Sequence, residues 1–125
     1  MPIEPGVTGR VEHTVSDEDT ALSMGSGQVP VLGTPRVVAW AEEACCLAVR
    51  DRLGEGETTV GMRVQLDHLA PVAVGHAVTS DATVERVDGR RITFTVSVTD
   101  AAGLVAAGKV TRAIVTTESF LQKAR

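Results

Sequence analysis

A two-residue alternation of apolar and polar side chains, repeated from residue 58 to residue 117, limits the possible folds of this chain most strongly. In 91–99 every even-numbered residue is apolar and every odd-numbered residue is polar or charged. Successive side chains of a β-strand point to opposite faces of the sheet, so this pattern predicts a strand with one buried face. The segments are separated by turns, and Asp88-Gly89 has the signature of a tight antiparallel hairpin. The predicted strands are 58–68, 76–87, 91–99 and 104–117.

Three further predictions follow from the same pattern. In 58–68 the even-numbered residues, from Val60 to His68, are predicted to share one face of the strand. Gly108 marks a bulge or a close backbone approach in the last strand. Upstream, residues 7–15 are predicted to form another strand, and residues 16–19 are predicted to cap a short helix around Thr20–Leu22.

One strongly helical segment, residues 35–50, precedes the four strands. Thr34 is predicted as its N-cap, and Pro35 suits the first helical position. Glu43 is interpreted as a solvated charge between Arg36 and Arg50, whereas Glu42 lies about 100° away, at the border of the apolar face. At 100° per residue the apolar stripe consists of Val37, Val38, Ala41, Ala44, Cys45, Ala48 and Val49.

A single apolar helix followed by several antiparallel strands predicts an α+β protein in which the sheet wraps around one central helix, the hot-dog arrangement. With 125 residues and no linker or low-complexity segment, residues 1–125 are predicted to form one domain. Such a sheet has exposed edges, and pairing with a second copy satisfies their backbone groups. We therefore expect a homodimer.

Charge and composition exclude several classes of function. The formal net charge is −4 and no block of Lys or Arg occurs, so binding to nucleic acid or to a membrane surface is not expected. The chain start lacks the layout of a signal peptide, and no apolar run reaches the ~20 residues of a membrane span, which predicts a cytoplasmic protein. Cys45 and Cys46 are helical neighbours and are expected to be reduced. Three scattered histidines predict neither a metal site nor a cofactor.

Three polar residues, Thr34, Glu42 and His68, stand out against apolar surroundings. Each has an ordinary explanation, as a helix cap, a solvated glutamate and a histidine satisfied in the core. Thr34 and Glu42 lie on nearly the same side of the helix, ~12 Å apart along its axis, which leaves room for a thioester. A carboxylate serves as a general base, a histidine transfers protons, and a helix N-terminus stabilises an oxyanion. Together they point to acyl transfer to water.

The motifs T-P-R-V-V-A-W-A-E-E-A, G-M-R-V-Q-L-D-H-L-A-P, V-D-G-R-R-I-T-F-T-V-S-V-T-D and T-R-A-I-V occur in this order. Over roughly residues 10 to 122 the chain resembles the fluoroacetyl-CoA thioesterase family of hot-dog proteins. The resemblance implies an acyl-CoA thioesterase in which Thr34, Glu42 and His68 form the catalytic set. His68 is expected to shuttle protons, Glu42 either activates water or attacks the thioester, and Thr34 either donates to the substrate or is itself the nucleophile. It also implies that Gly61 and Arg112 contact the substrate.

The segment that precedes the helix, DEDTALSMGSGQVPVLGT, contains no aromatic residue. The resemblance implies that this segment forms a lid over the acyl pocket, and the family's fluoroacetyl-specific member looks richer in aromatic residues there. Since this chain has none in the segment, we predict hydrolysis of short or small-branched acyl-CoA thioesters, with no strong preference for fluoroacetyl over acetyl. The alternative is a module that binds an acyl-CoA or acyl-carrier thioester without hydrolysing it, which would not need Glu42. A hot-dog dehydratase or isomerase is disfavoured, since such enzymes place Asp and His close together on the helix and no such pair occurs here.

Overall fold

A computed structural model describes residues 2–125 as a five-stranded antiparallel sheet around one long helix. The strand order is β1-β3-β4-β5-β2, so β1 and β2 form the two edges of the sheet. The strands are β1 (Thr8–Thr14), β2 (Glu57–His68), β3 (Ala77–Asp88), β4 (Arg91–Asp100) and β5 (Gly103–Thr116). The helices are α1 (Ala21–Met24), α2 (Thr34–Val49) and α3 (Thr117–Gln122). The predicted α+β hot-dog fold is confirmed, as is each of the five predicted strands.

The core lies between α2 and the inner face of the sheet. Ile92, Phe94 and Val96 of β4 are fully buried against small side chains of the helix, such as Ala41 and Ala44. Burying one such large apolar side chain contributes about 1.5–3 kcal/mol to folding. The helix buries Val37, Trp40, Ala41, Ala44, Cys45, Ala48 and Val49. The predicted stripe is therefore confirmed except at Val38, which is only half-buried, while Trp40 is buried in addition.

Trp40 is buried because β1 covers it. The His13 ring on β1 stacks on the Trp40 ring with centroids 4.5 Å apart, and His13 Nε2 lies 2.6 Å from Glu43 Oε1. The interpretation of Glu43 as a charge between two arginines is wrong, since Arg36 instead pairs with Asp19 at 2.9 Å. Two side chains of α2 thus fasten the edge strand β1 to the helix. Within residues 2–125 no helix has the length and apolar character needed to cross a membrane.

The segment between β1 and α2 folds much as its sequence predicts. Ser16 and Asp19 form a reciprocal capping box around a single 3-10 turn. Thr20 then caps α1 by accepting a hydrogen bond from the backbone N–H of Ser23. The predicted short helix is therefore confirmed, whereas the prediction that residues 16–19 cap it is wrong, because Thr20 caps α1 and the Ser16–Asp19 box belongs to the preceding 3-10 turn.

The start of α2 differs from the prediction by one residue. Gly33 is the N-cap, Thr34 is the first helical residue, and the helix lacks a side-chain cap. A Cβ on Gly33 would lie 3.0 Å from the backbone N and Cα of Ala21, so a glycine allows α1 to pack tightly here. The prediction of Thr34 as N-cap is wrong, because its hydroxyl turns away from the helix backbone towards His68.

A β-bulge in β2 corrects the predicted face of that strand. Gly61 pairs with Arg112 but Arg63 pairs with Thr111, so Met62 is an extra residue in the ladder. The bulge exchanges the two faces, and Val60 therefore lies on the opposite face from the even-numbered residues that follow Met62. The prediction that all even positions of 58–68 share one face is wrong, since alternation alone cannot register an inserted residue.

We expect Gly9→Ala to destabilise the fold by about 1–3 kcal/mol, the usual cost of overpacking a tight contact. A Cβ at Gly9 of β1 would overlap the carbonyl oxygen of Ala44 and lie 2.6 Å from the backbone N of Ala48, both on α2. Urea unfolding measures the change. Gly27→Ala is the matched control, because its new methyl would be 3.4 Å from Ala21 and should be nearly neutral. Equal midpoints for the two variants would contradict the close packing of β1 on α2.

Candidate active site

The Thr34 hydroxyl and the His68 imidazole meet where α2 begins and β2 ends. Thr34 Oγ1 lies 2.8 Å from His68 Nδ1, although the two residues are 34 positions apart. Thr34 is exposed and His68 is half-buried. His68 Nε2 is buried and has no hydrogen-bond partner within residues 2–125. The imidazole therefore engages a hydroxyl through one nitrogen and keeps the other available for a second group.

A small cleft of about 320 Å³ opens beside this pair. Its volume lies at the low end of the ~300–1,000 Å³ typical of ligand pockets. Apart from the imidazole, its walls are built from aliphatic, small or hydroxylated side chains. The cleft is lined by Ala21, Ser26, Gly27, Val29, Val31, Leu32, Thr34, His68, Leu69, Ala70 and Pro71.

A larger cleft, of about 710 Å³, lies at the ends of β3 and β4 and shares Pro71 with the smaller one. Its ionisable side chains are His76 and Asp100, and none of the residues predicted for catalysis or substrate contact lines it. Size alone would favour this cleft, but the chemical groups favour the smaller one. We therefore place the candidate site beside Thr34 and His68.

Glu42 belongs to a second cluster, further along α2. Its Oε2 accepts a hydrogen bond of 2.6 Å from Arg112 Nη1 on β5, and the two side chains are 30% and 8% exposed. The Arg112 guanidinium also donates to Thr59 of β2, to Oγ1 at 3.0 Å and to the backbone oxygen at 2.9 Å. Since Arg112 is held on two sides, it fixes the position of the Glu42 carboxylate.

Gly61 leaves the space that the Glu42 carboxylate occupies. It pairs directly with Arg112 in the β2–β5 ladder, just before the bulge. A Cβ on Gly61 would overlap Oε2 of Glu42 and lie 3.5 Å from Nη1 of Arg112. Any side chain at this position would therefore displace the carboxylate from its arginine.

The structure thus distributes the five residues predicted for the site between two clusters. One contains Thr34 and His68, and the other contains Glu42, Gly61 and Arg112. Eight helical residues, or ~12 Å along the axis, separate Thr34 from Glu42. Sequence reasoning missed Thr59, whose role depends on a contact with Arg112 across 53 positions of the chain.

Cys45 lies three residues beyond Glu42 on the helix and is fully buried. Burial raises the pKa of its thiol to about 12, and the Arg112 cation offsets this only in part. The thiol is therefore protonated at neutral pH, which leaves it a poor nucleophile. Both cysteines are free thiols.

A sheet wrapped around one long helix defines a hot-dog protein, and the comparisons with known proteins make it a thioester hydrolase of this fold. The family model described as fluoroacetyl-CoA-specific thioesterase matches residues 15–118. The chain belongs to this family, and the resemblance seen in its motifs is confirmed.

Known relatives support the same assignment. The fluoroacetyl-CoA thioesterase of Streptantibioticus cattleyicolor is 33% identical over 95 residues, covering 76% of this chain and 68% of that protein. A mutant of the fluoroacetyl-CoA-specific thioesterase FlK has a TM-score of 0.92 at 26% identity, covering 98% of this chain and 96% of that one. A hot-dog-like protein from Thermanaerovibrio acidaminovorans has a TM-score of 0.88 at 28% identity, covering 95% and 88%. The similarity of fold extends over nearly the whole chain.

Proposed function

We propose that the protein hydrolyses short-chain acyl-CoA thioesters, using Thr34, His68 and Glu42 as its catalytic set. The observation that carries this proposal is the 2.8 Å contact between Thr34 Oγ1 and His68 Nδ1 beside the small cleft. A hydroxyl held by an imidazole is the arrangement in which a nucleophile is activated by a neighbouring base. Release of CoA thiol from acetyl-CoA, followed with a thiol reagent, is the direct test.

In the proposed reaction the acyl group enters the small cleft and its carbonyl lies close to Thr34. Attack on this carbonyl forms a tetrahedral oxyanion, which the N-terminal end of α2 stabilises. His68 accepts the proton of the attacking hydroxyl and returns it to the departing CoA sulfur. If a side chain has attacked, water then hydrolyses the acyl group from the enzyme.

Thr34, Glu42 or a water molecule activated by Glu42 makes the first attack. Attack by either side chain leaves an acyl group on the enzyme, whereas attack by water does not. Attack by Thr34 produces an acyl ester on its side chain, which intact-protein mass spectrometry detects after rapid quenching. Attack by water leaves the enzyme mass unchanged during full turnover. The same experiment on Thr34→Ala checks that any adduct lies on this hydroxyl.

We propose that Glu42 reaches the Thr34–His68 pair of a second copy of the chain. β2 is an edge strand, and two of its apolar side chains, Met62 and Val64, are 49% and 36% exposed. An exposed strand edge with apolar side chains is suited to pairing with another strand. The predicted homodimer therefore forms, in this proposal, through antiparallel pairing of two β2 strands.

Antiparallel pairing centred on Gln65 sets Arg63 opposite position 67 of the partner subunit. Because Met62 is the extra residue of the bulge and stays unpaired, the next pair sets Gly61 of one chain opposite His68 of the partner subunit. Glu42 lies directly over Gly61, so its carboxylate then faces the imidazole of the other chain. His68 Nε2, which lacks a partner within residues 2–125, then donates its N–H to this carboxylate. Two equivalent sites result from one two-fold axis.

The family resemblance implies that Gly61 and Arg112 contact the substrate. The contacts of Arg112 support a positioning role for this residue instead. Its guanidinium is only 8% exposed and already donates to Glu42 and Thr59. We propose that Arg112 positions Glu42, while Gly61 keeps the route to the carboxylate open for the thioester.

Chain length should determine the substrate preference. We expect kcat/KM for acetyl-CoA and butyryl-CoA to exceed that for palmitoyl-CoA, because the cleft is only about 320 Å³. Fluoroacetyl-CoA and acetyl-CoA should agree within about tenfold, since even a whole methylene discriminates by only ~1–3 kcal/mol in an apolar pocket. Side-by-side kinetics on the four thioesters provide the measurement. Preference for palmitoyl, or a fluoroacetyl preference of several orders of magnitude, would contradict this account of the cleft.

A further inference from the structure

A cluster of arginines lies on the outer face of the sheet, away from α2. Arg63, Arg86 and Arg91, on β2, β3 and β4, surround a cleft of about 390 Å³. Within residues 2–125 none of the three forms an ion pair. The other cleft residues are Met62, Asp88, Thr93 and Thr111.

Two other cations of the same face are paired. Arg10 on β1 pairs with Asp81 at 2.7 Å, and Lys109 on β5 pairs with Glu85 at 3.0 Å. The cleft of one chain holds three cations and one carboxylate, Asp88, in a chain whose formal net charge is −4. The β2 pairing proposed above sets Arg63 opposite Asp67 of the partner subunit, which leaves Arg86 and Arg91 as the cleft arginines without an ion pair. Positive charge is therefore concentrated at this one place on an acidic surface, which draws anions towards it.

Two β-bulges turn the outer arginines into the cleft. The ladders shift between Gly61 and Arg63 on β2, and between Val84 and Arg86 on β3. Val84 is fully buried and Gly61 faces Glu42, so both positions point to the helix side. Without the extra residue, simple alternation would point each arginine to that side as well.

The bulges also align the two arginines in one row across four strands. Arg63 pairs with Thr111, Thr111 with Thr93, and Thr93 with Arg86. Three strand spacings of ~4.8 Å separate the ends of the row by roughly 14 Å. The hydroxyls of Thr111 and Thr93 lie between the two arginines, whose long side chains can converge above them.

We propose that this cleft is a binding site for a phosphate-bearing ligand. Guanidinium groups bind phosphate oxygens in pairs of charge-assisted hydrogen bonds, and threonine hydroxyls supply further donors between them. The phosphates come either from the nucleotide end of a CoA molecule or from a free phosphorylated compound. Phosphate binding can be measured without turnover, so the proposal is tested by binding alone.

Inorganic pyrophosphate is the first probe, titrated into the isotope-labelled protein at low ionic strength and followed by amide chemical shifts. We expect shifts centred on Arg63, Thr93 and Thr111. Arg86→Gln should raise the Kd for pyrophosphate about tenfold, the effect expected when one of the weaker hydrogen bonds to a charged group is lost. Arg10→Gln is the matched control, since it removes a paired arginine from the same face and should leave binding unchanged.

A titration with CoA then distinguishes the two sources of phosphate. If CoA shifts the cleft amides and Arg86→Gln weakens its binding, the cleft holds the nucleotide end of CoA. If CoA shifts only residues around Thr34 while pyrophosphate still occupies the cleft, the ligand is a free phosphorylated compound. Equal affinity of wild type and Arg86→Gln for pyrophosphate, or equal loss in Arg10→Gln, would overturn the proposal.

Discussion

Replacing Glu42 with glutamine is expected to lower kcat for acetyl-CoA by about 10²–10⁴-fold, the usual effect of removing one positioned acid–base group. The amide has nearly the same shape and can still accept a hydrogen bond from Arg112, which now lies 2.6 Å from the carboxylate. It cannot take up a proton or attack a carbonyl. The loss should therefore appear in kcat, while the fold remains intact.

Glu43→Gln is the matched control for this experiment, because Glu43 is adjacent in sequence and points away from the site. It bonds to His13 on β1, and its side chain is 50% exposed. We expect kcat close to wild type for this variant. Thermal melting of both variants separates chemistry from stability. Wild-type kcat in Glu42→Gln together with a loss in Glu43→Gln would contradict the assignment of the carboxylate.

A mixed dimer of two inactive chains is expected to recover activity. Glu42→Gln supplies an intact Thr34–His68 pair, and His68→Ala supplies an intact Glu42. If each site combines Glu42 of one chain with His68 of the other, a purified heterodimer contains one complete site. Its activity should then be about half that of the wild-type dimer, since a two-fold dimer has two equivalent sites.

The control pairs Glu42→Gln with a chain that carries both substitutions, which cannot form a complete site in either arrangement. No recovery in the first heterodimer would place Glu42 and His68 of one chain in the same site. Sedimentation that shows a stable monomer near 13.1 kDa at micromolar concentration would contradict the dimer itself. A chain that only binds thioesters would release no thiol even as wild type.

Periodicity identified the five strands and α2 from the sequence alone. The alternation in 91–99 predicts β4 because its even-numbered side chains all enter the core. The Asp88-Gly89 turn and the apolar stripe of α2 are likewise local patterns, each contained within about 16 residues. Local patterns suffice for helices, strands and hairpins, since their backbone geometry repeats over short distances.

The motif spacing also identified the candidate residues, because Thr34, Glu42 and His68 stand at the positions that the family resemblance implies. It could not establish which of them meet. The hydroxyl of Thr34 bonds to His68 rather than capping the helix, and Glu42 is held by Arg112, 70 positions away. Contacts of this kind depend on how close two elements approach, which no short pattern encodes.

The bulge at Met62 was decided by tertiary structure for the same reason. The sequence of β2 alternates without interruption, yet one extra residue exchanges its faces, so that Gly61 and His68 both point towards the helix side. A bulge forms when pairing with a neighbouring strand and packing on the helix are satisfied together. The sequence alone therefore specified the five strands and α2, whereas α3 (Thr117–Gln122) was not predicted. Only the assembled sheet and helix decided which face each residue occupies, because that choice depends on partners distant in the chain.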